Sequence, residues 1–247
     1  MSLVTEAGEP PYIKIVYRGM EKLGWIAGKN IVYVRPQSFD DPARFADAAR
    51  ELVRSKVDLI YADSAPAMRA AQAATREIPI VGTDYTNDPV AVGYAKTYHR
   101  PGGNITGVFL DAPQFAGNWI DLLRTILPDL KRAVALYDPS PGDRHLKALQ
   151  AAARAAGIQL QIVEVHKPED IDRAATMTLP GTPQAIIIVP SPMTYAENTR
   201  LARLARKQKL PATSMAPHFA GKGGLLAYGP DNSIVERLAV QISKILN

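Results

Sequence analysis

A chain of 247 residues has enough material for one large or two small domains with a buried core. With 47% hydrophobic and 21% charged residues, it has the composition of an ordinary globular protein, which excludes a disordered or fibrous chain. The absence of cysteine excludes disulfides, a thiolate nucleophile and cysteine metal sites. The net charge of +5 is modest, and its basic residues are spread over predicted helix faces. This pattern favours a solvated surface over a nucleic-acid-binding stripe.

The sequence contains no apolar run that approaches the roughly 18 residues needed to span a bilayer. It also contains no recognisable signal peptide. We therefore expect a secreted protein to be represented here by its processed form.

The first half of the chain alternates between helical and strand patterns. Apolar residues recur at helical spacing in two segments, and Gly24 follows the first of them where a left-handed cap is expected. Further on, two short apolar runs flank an alanine-rich helix, which predicts a β-α-β unit with parallel strands. The predicted helices are 11–23, 43–55 and 66–76, and the predicted strands are 31–34, 59–62, 78–81 and 105–110.

This β-α-β unit predicts half of a binding site. Ser64 is expected to cap the helix after the first strand, and Pro66 suits its first turn. Ligands of open parallel sheets bind beyond the carboxyl ends of the strands, near helix N-termini. Asp63 to Ala65 and Thr83–Asp84 should therefore lie on one edge.

The pattern repeats in the second half, which predicts a second α/β lobe. We expect the chain to cross between lobes at 111–113 and at 216–223, so that residues 1–111 with 222–247 form lobe 1 and 112–221 form lobe 2. Two such lobes joined by short connections predict a hinge and a cleft. Gly221 to Gly224 is interpreted as a flexible joint. The predicted helices are 116–127, 144–156, 168–177, 194–208 and 233–246, and the predicted strands are 132–137, 160–165, 185–189, 212–215 and 225–228.

Catalytic signatures are missing from the sequence. It contains no phosphate-binding loop, no nucleophile elbow and no zinc-binding H-E-x-x-H helix, and its four histidines lack metal-ligand spacing. A catalytic carboxylate pair among the strand-end aspartates is conceivable, but we favour binding over catalysis and predict no metal and no cofactor. His218 differs from the other histidines because it lies on the second predicted crossing, where it could contact a ligand.

The loops after the predicted strands share one chemistry. Each offers a hydroxyl or carboxylate, often beside a proline at a helix start, where backbone N–H groups suit a ligand carboxylate. The aspartates suit an ammonium or hydroxyl, so a zwitterionic or carboxylate-bearing small molecule is indicated. The nearby tyrosines either pack the lobes or stack on an apolar ligand. The candidate ligand-binding residues are Ser64, Ala65, Thr83, Asp84, Asp88, Tyr137, Asp138, Ser191, Tyr195 and His218.

Several segments resemble the substrate-binding proteins of ABC transporters of the tryptophan/tyrosine-binding type. The most specific are Arg100-Pro-Gly-Gly-Asn-Ile-Thr-Gly107 and Gly223-Gly-Leu-Leu-Ala-Tyr-Gly-Pro-Asp231, and the similarity covers nearly the whole chain in order. The resemblance implies the type I periplasmic-binding fold, with two Rossmann-like lobes that have parallel sheets and are joined by a hinge. The pocket positions of the family correspond to Ser64, Ala65, Thr83, Asp84, Asp88, Tyr137, Asp138 and Ser191.

The function implied by the resemblance is solute capture for ABC uptake. A small carboxylate ligand, an amino acid or an aromatic acid, would bind in the interlobe cleft, and the partner would be a membrane permease, with no nucleic acid involved. The location would be periplasmic, or extracytoplasmic as a lipoprotein. An effector-binding domain of a regulator or receptor with the same two-lobe fold remains the alternative, although no helix-turn-helix is present. An enzyme is disfavoured because these catalytic signatures are missing, although one fold can host many functions.

Overall fold

A computed structural model of the chain describes residues 11–36, 42–230 and 233–247. The chain divides into two compact units, unit 1 (residues 1–111 and 232–247) and unit 2 (residues 112–231). The strands are β1 (Ile60–Asp63), β2 (Ile80–Asp84), β3 (Ile105–Phe109), β4 (Arg132–Tyr137), β5 (Gln159–Glu164), β6 (Ala185–Ile188), β7 (Ala212–Ser214) and β8 (Leu226–Ala227). The helices are α1 (Pro11–Lys22), α2 (Phe45–Arg54), α3 (Ala65–Ala74), α4 (Ala116–Ile126), α5 (Arg144–Ala155), α6 (Pro168–Ala174), α7 (Pro192–Ala196), α8 (Asn198–Gln208), α9 (His218–Gly221) and α10 (Ser233–Leu246).

Unit 1 contains a parallel sheet in the order β1-β2-β3. Apolar residues cover both of its faces, as expected for strands that read as continuous apolar runs. On one face Tyr61 and Val81 pack with residues of α1 and α10, such as Val16 and Leu238. The other face packs against α2 and α3. The predicted alternation of helix and strand is therefore a doubly wound α/β layer.

Gly82 allows α3 to lie close to the sheet. A Cβ atom at this position would lie 2.2 Å from both the Met68 sulfur and the Ala62 carbonyl oxygen. Because Met68 belongs to the second turn of α3, this close packing fixes the start of that helix directly above the carboxyl ends of β1 and β2.

Unit 2 contains a five-stranded parallel sheet in the order β5-β4-β6-β7-β8. One face, with Val134 and Ile186, packs against α6 and α8 in a core that includes Leu201 and Phe219. α4 contacts β7 and α5 contacts β5, and these two helices also contact each other. Both units thus have the α/β architecture of two Rossmann-like lobes that the sequence predicted.

The second predicted domain boundary is wrong, because residues 222–231 belong to unit 2. β8 pairs with β7, and the Trp119 indole N–H of α4 donates to the Tyr228 carbonyl at 2.9 Å. The expected flexible joint is an ordered turn after α9, in which the N–H groups of Gly223 and Gly224 bond back to the helix. His218 therefore lies inside unit 2 and not on a crossing.

Two predicted elements differ from the structure. Within the described residues, segment 31–34 forms no strand and only a single bridge from Ile31 to Ala27, because a turn at Gly28 takes up the Ile31 carbonyl. The helix predicted at 194–208 is interrupted at Glu197, whose backbone leaves the helical region. The Asn198 side chain donates to the Tyr195 carbonyl there, and such local bonds compete with the helical ladder.

Asp40 and Asp41, which are expected to cap the helix predicted at 43–55, lie outside the described residues. No described helix is long and apolar enough to cross a membrane.

Candidate functional site

In unit 1 the candidate residues gather at the carboxyl edge of the sheet. The register places Asp63 beside Thr83, and Asp84 beside Phe109. Ser64 follows β1 directly, and its N–H donates to the Thr83 carbonyl at 3.0 Å. The structure therefore brings Ser64, Ala65, Thr83 and Asp84 together on adjacent strand ends.

Ser64 occupies the N-cap position of α3, as predicted, but its side chain does not cap the helix. Its backbone has φ +98° and ψ 153°, a region that essentially only glycine adopts without strain. An ordinary cap requires a β-region backbone that aims the side-chain oxygen at the first turn. The half-buried Ser64 hydroxyl makes no hydrogen bond within the described residues. It is thus held beside the first turn of α3 without a partner.

Asp84 is fully buried, and its carboxylate orders the loop that follows β2. One oxygen accepts from the N–H groups of Thr86 (2.8 Å) and Asn87 (3.1 Å), and the other accepts from the Asn87 amide nitrogen at 2.8 Å. Asp84 therefore positions loop 84–87 and does not present its charge at the surface. An aspartate followed by donors two and three residues later is a recognisable turn pattern.

Two hydroxyls complete this edge. The Thr83 hydroxyl donates to the Asp63 carboxylate, so it has a partner already. Tyr94, which sequence reasoning missed, is buried with its hydroxyl 3.5 Å from the Ala65 carbonyl. Burial, together with the Asp84 carboxylate, raises the pKa of Tyr94, so the phenol stays protonated.

Asp88 lies further along the same loop. It accepts from the Val90 N–H at 2.8 Å and from the Tyr98 hydroxyl at 2.7 Å. The hydrogen bond to Asp88 raises the pKa of the exposed Tyr98. Tyr98 was also missed, because nothing in its local sequence pattern points to Asp88.

In unit 2, Tyr137 and Asp138 lie where β4 ends. Asp138 is buried and accepts from both the N–H and the hydroxyl of Ser140, each at 2.9 Å. Tyr137 is buried as well. Its burial is the main cause that raises its pKa, and the nearby carboxylates raise the pKa further. Asp138 thus orders its loop in the way Asp84 does in unit 1.

Ser191 begins α7 at the end of the neighbouring strand β6. Its hydroxyl oxygen accepts from the Thr194 N–H at 3.0 Å, while its own N–H donates to the Thr194 hydroxyl at 2.9 Å. This reciprocal pair is a capping box, and both residues are buried. The Ser191 hydroxyl is therefore already used in the fold.

Tyr195 and His218 meet beyond the ends of β6 and β7. Their ring centroids lie 6.3 Å apart at an interplanar angle of 80°, an edge-to-face contact. The Nε2 atom of His218 is buried and has no hydrogen-bond partner in the described part of unit 2. A buried imidazole nitrogen without a hydrogen-bond partner and an aromatic ring thus lie side by side in this part of unit 2.

Both edges carry polar side chains at the ends of parallel strands. Among the described residues, no three His, Asp or Glu side chains converge in a way that could hold a metal ion. The three candidate aspartates, Asp84, Asp88 and Asp138, accept hydrogen bonds from groups in their own units, whereas the Ser64 hydroxyl and His218 Nε2 have no hydrogen-bond partner within the described residues.

Comparisons with known proteins agree with this architecture. The chain is 25% identical over 218 residues to the tyrosine-binding protein of Clostridioides difficile strain R20291, matching 87% of this chain and 61% of that protein. The chain thus spans about three fifths of the length of this curated relative.

Two solved structures share the fold. One is a conserved domain protein from Vibrio cholerae, with a TM-score of 0.79 and 23% identity over 96% of this chain and 81% of that one. The other is an ABC domain in complex with L-Trp from Streptococcus pneumonia, with a TM-score of 0.77 and 22% identity over the same shares. Finally, the model of the ABC transporter substrate-binding protein family matches residues 12–247. The chain belongs to that family of solute-binding proteins.

Proposed function

We propose that this chain is the solute-binding component of an ABC uptake transporter and that it captures a small carboxylate, an amino acid or an aromatic acid. Family membership supports the transport role, which implies an extracytoplasmic location and a membrane permease as partner. The names of two similar proteins, which refer to tyrosine and L-Trp, support an aromatic amino acid as the first ligand to test. No cofactor and no bond-breaking step are needed.

The observation that carries the proposal is the chemistry of the carboxyl edges of the two parallel sheets. At the edge of unit 1, the partnerless Ser64 hydroxyl lies beside the Ala65 N–H at the positive end of the ten-residue helix α3. Hydroxyl and N–H donors at a helix start are the groups that bind a carboxylate. At the edge of unit 2, Tyr195 and His218 form an edge-to-face aromatic pair.

We assign the candidate residues to two roles. Ser64 and Ala65 of unit 1 are the carboxylate-binding candidates, and Tyr195 and His218 of unit 2 are the candidates for contact with an aromatic group. The remaining candidates hold the loops in place around these groups, because their polar atoms are already bonded or their side chains are largely buried. They are Thr83, Asp84, Asp88, Tyr137, Asp138 and Ser191.

A thermal-shift and calorimetry experiment tests this function. L-Tyrosine, L-tryptophan, L-phenylalanine and 4-hydroxybenzoate are titrated into the full chain, with tyramine as the matched control that lacks only the carboxylate. A ligand at 100 times its Kd stabilises the native state by about 2.7 kcal/mol, which raises Tm by roughly 5 to 10 °C for a chain of this size. Tyramine should produce no shift.

The variant Ser64→Ala should weaken binding of the active ligand about tenfold or more, because a hydrogen bond to a charged group contributes about 1.5–3 kcal/mol. Exposed Thr97, with its hydroxyl on the Arg100 backbone, provides the control Thr97→Ala, which should bind normally. Equal shifts with tyrosine and tyramine, or no shift with any of the four carboxylates, would contradict the proposed ligand class.

A further inference from the structure

Unit 2 contains a concave surface on the opposite edge of its sheet from the candidate residues. This surface, called here the basic groove, lies at the amino ends of β7 and β8 and has a volume of about 470 Å³. Its walls come from the end of α4, the end of α8 and the residues just before β8. The residues that matter below are Ile126, Leu127, Arg206, Lys209, Leu210 and Leu225.

The floor of the basic groove is apolar and open to solvent. Leu225 is 52% exposed and Ile126 is 43% exposed, and half-buried Leu127 and Leu210 also line the groove. Contiguous exposed apolar side chains of this kind mark a surface that binds something apolar. The volume lies within the range of small-molecule sites, about 300–1,000 Å³.

The charge at the groove differs from the charge on the rest of α8. Arg200 and Arg203 both bind the Asp172 carboxylate, and Arg200 also pairs with Glu197 at 2.8 Å. Arg206, one turn further along, makes no ion pair or side-chain hydrogen bond within the described residues. The fold neutralises the first two arginines and leaves the third, at the groove, uncompensated.

The Arg206 guanidinium lies close to the backbone of Gly223. A Cβ atom on Gly223 would lie 3.2 Å from Arg206 Nη1, so the planar group lies against that glycine and along the groove wall. Lys209 follows at the C-cap of α8 and also lines the groove. Two cations therefore stand beside an apolar floor.

We propose that the basic groove binds an amphipathic monocarboxylate, with an alkyl or aryl-alkyl chain on the apolar floor and the carboxylate on Arg206. A neutral apolar ligand would leave the cations without a partner, and inorganic phosphate would leave the apolar floor exposed. An alkylammonium would be repelled by Arg206 and Lys209. The groove is formed entirely within unit 2, and it does not depend on the proposed transport function.

The test titrates straight-chain carboxylates from butanoate to octanoate into the full chain. Calorimetry measures the affinity of each, and backbone amide NMR locates the residues that respond. Burial of one methylene contributes about 0.8 kcal/mol, or fourfold in affinity, and a half-open groove should give about twofold or more for each methylene. Octanoate should thus bind at least about tenfold more tightly than butanoate. The shifted amides should be those of 126–127, 209–210 and 223–225, and not those of 84–88 or 138–140, which separates this groove from the carboxyl edges.

Variants on one helix supply the matched control. Arg206→Gln should weaken octanoate binding about tenfold, whereas Arg203→Gln, which removes an arginine already bound to Asp172, should leave it unchanged. Leu225→Gln should remove the dependence on chain length. Far-UV circular dichroism verifies that each variant is folded.

Four results would overturn the proposal. Three are equal affinity for butanoate and octanoate, equal effects of the Arg206 and Arg203 variants, and binding of octylammonium as tight as that of octanoate. The fourth, detected by sedimentation at each titration point, is a groove that stays covered by a second copy of the chain at the highest octanoate concentration.

Discussion

The carboxyl edges of the two sheets use the same device to order their loops. In unit 1 the Asp84 carboxylate binds the N–H groups of Thr86 and Asn87, and in unit 2 the Asp138 carboxylate binds Ser140. Asp84 is the last residue of β2 and Asp138 directly follows β4, and both aspartates are buried. An acidic residue at a strand end of this protein is therefore first a structural element of its loop.

The two edges differ in the serine that precedes a helix. Ser191 has an extended backbone with φ −155° and a complete capping box with Thr194. Ser64 has φ +98° and no side-chain cap. The serine hydroxyl at the helix start is therefore hydrogen-bonded within the fold in unit 2. In unit 1 it makes no such bond, and the serine backbone is strained. The comparison identifies Ser64, and not Ser191, as the serine suited to a ligand.

The largest expected effect is a difference in the loss of stability when each of the two aspartates is replaced by alanine. Asp84→Ala removes three hydrogen bonds to a fully buried carboxylate and should lower the free energy of unfolding of unit 1 by about 4 kcal/mol. Asp138→Ala removes two and should lower that of unit 2 by about 2 kcal/mol.

The two tryptophans allow the units to be measured separately. Trp25 bonds to Ser243 in unit 1, and Trp119 is buried in unit 2, so Trp119→Phe and Trp25→Phe backgrounds report on one unit each in urea unfolding. Equal losses in the two aspartate variants would show that the edges are not ordered as the hydrogen bonds indicate.

A second expected difference is in acid stability, because unit 2 buries His145 whereas His99 of unit 1 is exposed. Burial, together with Arg144, lowers the pKa of His145 from 6.5 to about 4. The unfolded chain therefore binds the proton first, and the stability present above pH 6.5 is lost as the pH falls toward 4. Between pH 7.5 and pH 5 unit 2 should lose about 2 kcal/mol through this group.

The measurement is urea unfolding at both pH values in the Trp25→Phe background, with and without His145→Gln. The variant should remove the loss. His166→Gln changes an exposed histidine 3.4 Å from Glu164 and should retain it. A loss of the same size in the His145 variant would mean that other groups govern the acid response.

Much of the fold could be predicted because strands buried on both faces read as short apolar runs and the helices carry apolar stripes. The exceptions have local causes. Segment 31–34 has the apolar pattern of a strand, but the turn at Gly28 uses the Ile31 carbonyl. The helix break at Glu197 arises from the Asn198 side chain, which the apolar spacing does not register.

The candidate site was predictable in position but not in role. Strand ends locate Ser64, Asp84, Asp138 and Ser191 because parallel strands share one carboxyl edge. Which of their polar atoms have no hydrogen-bond partner depends on contacts between residues distant in sequence. The Ser64 N–H, for instance, donates to the Thr83 carbonyl nineteen residues away in sequence, a contact that no local pattern of Ser64 encodes.

The smallest expected effect concerns the two serines, for which the change in unfolding free energy and the change in ligand affinity should have different patterns. Ser64→Gly should relieve a backbone strain of order 1–3 kcal/mol, partly offset by about 0.5–1 kcal/mol of added chain entropy in the unfolded state, so unit 1 gains about 1 kcal/mol. Ser191→Ala loses a helix cap and should cost unit 2 about 1 kcal/mol. In calorimetry with the carboxylate that gives the largest thermal shift, affinity should fall about tenfold for Ser64→Gly and Ser64→Ala but stay constant for Ser191→Ala.

If Ser64→Gly destabilised unit 1, the left-handed backbone would not be strained. If affinity fell only with Ser191→Ala, the hydroxyl used by the ligand would be the capped one, and the assignment of the two edges would have to be exchanged.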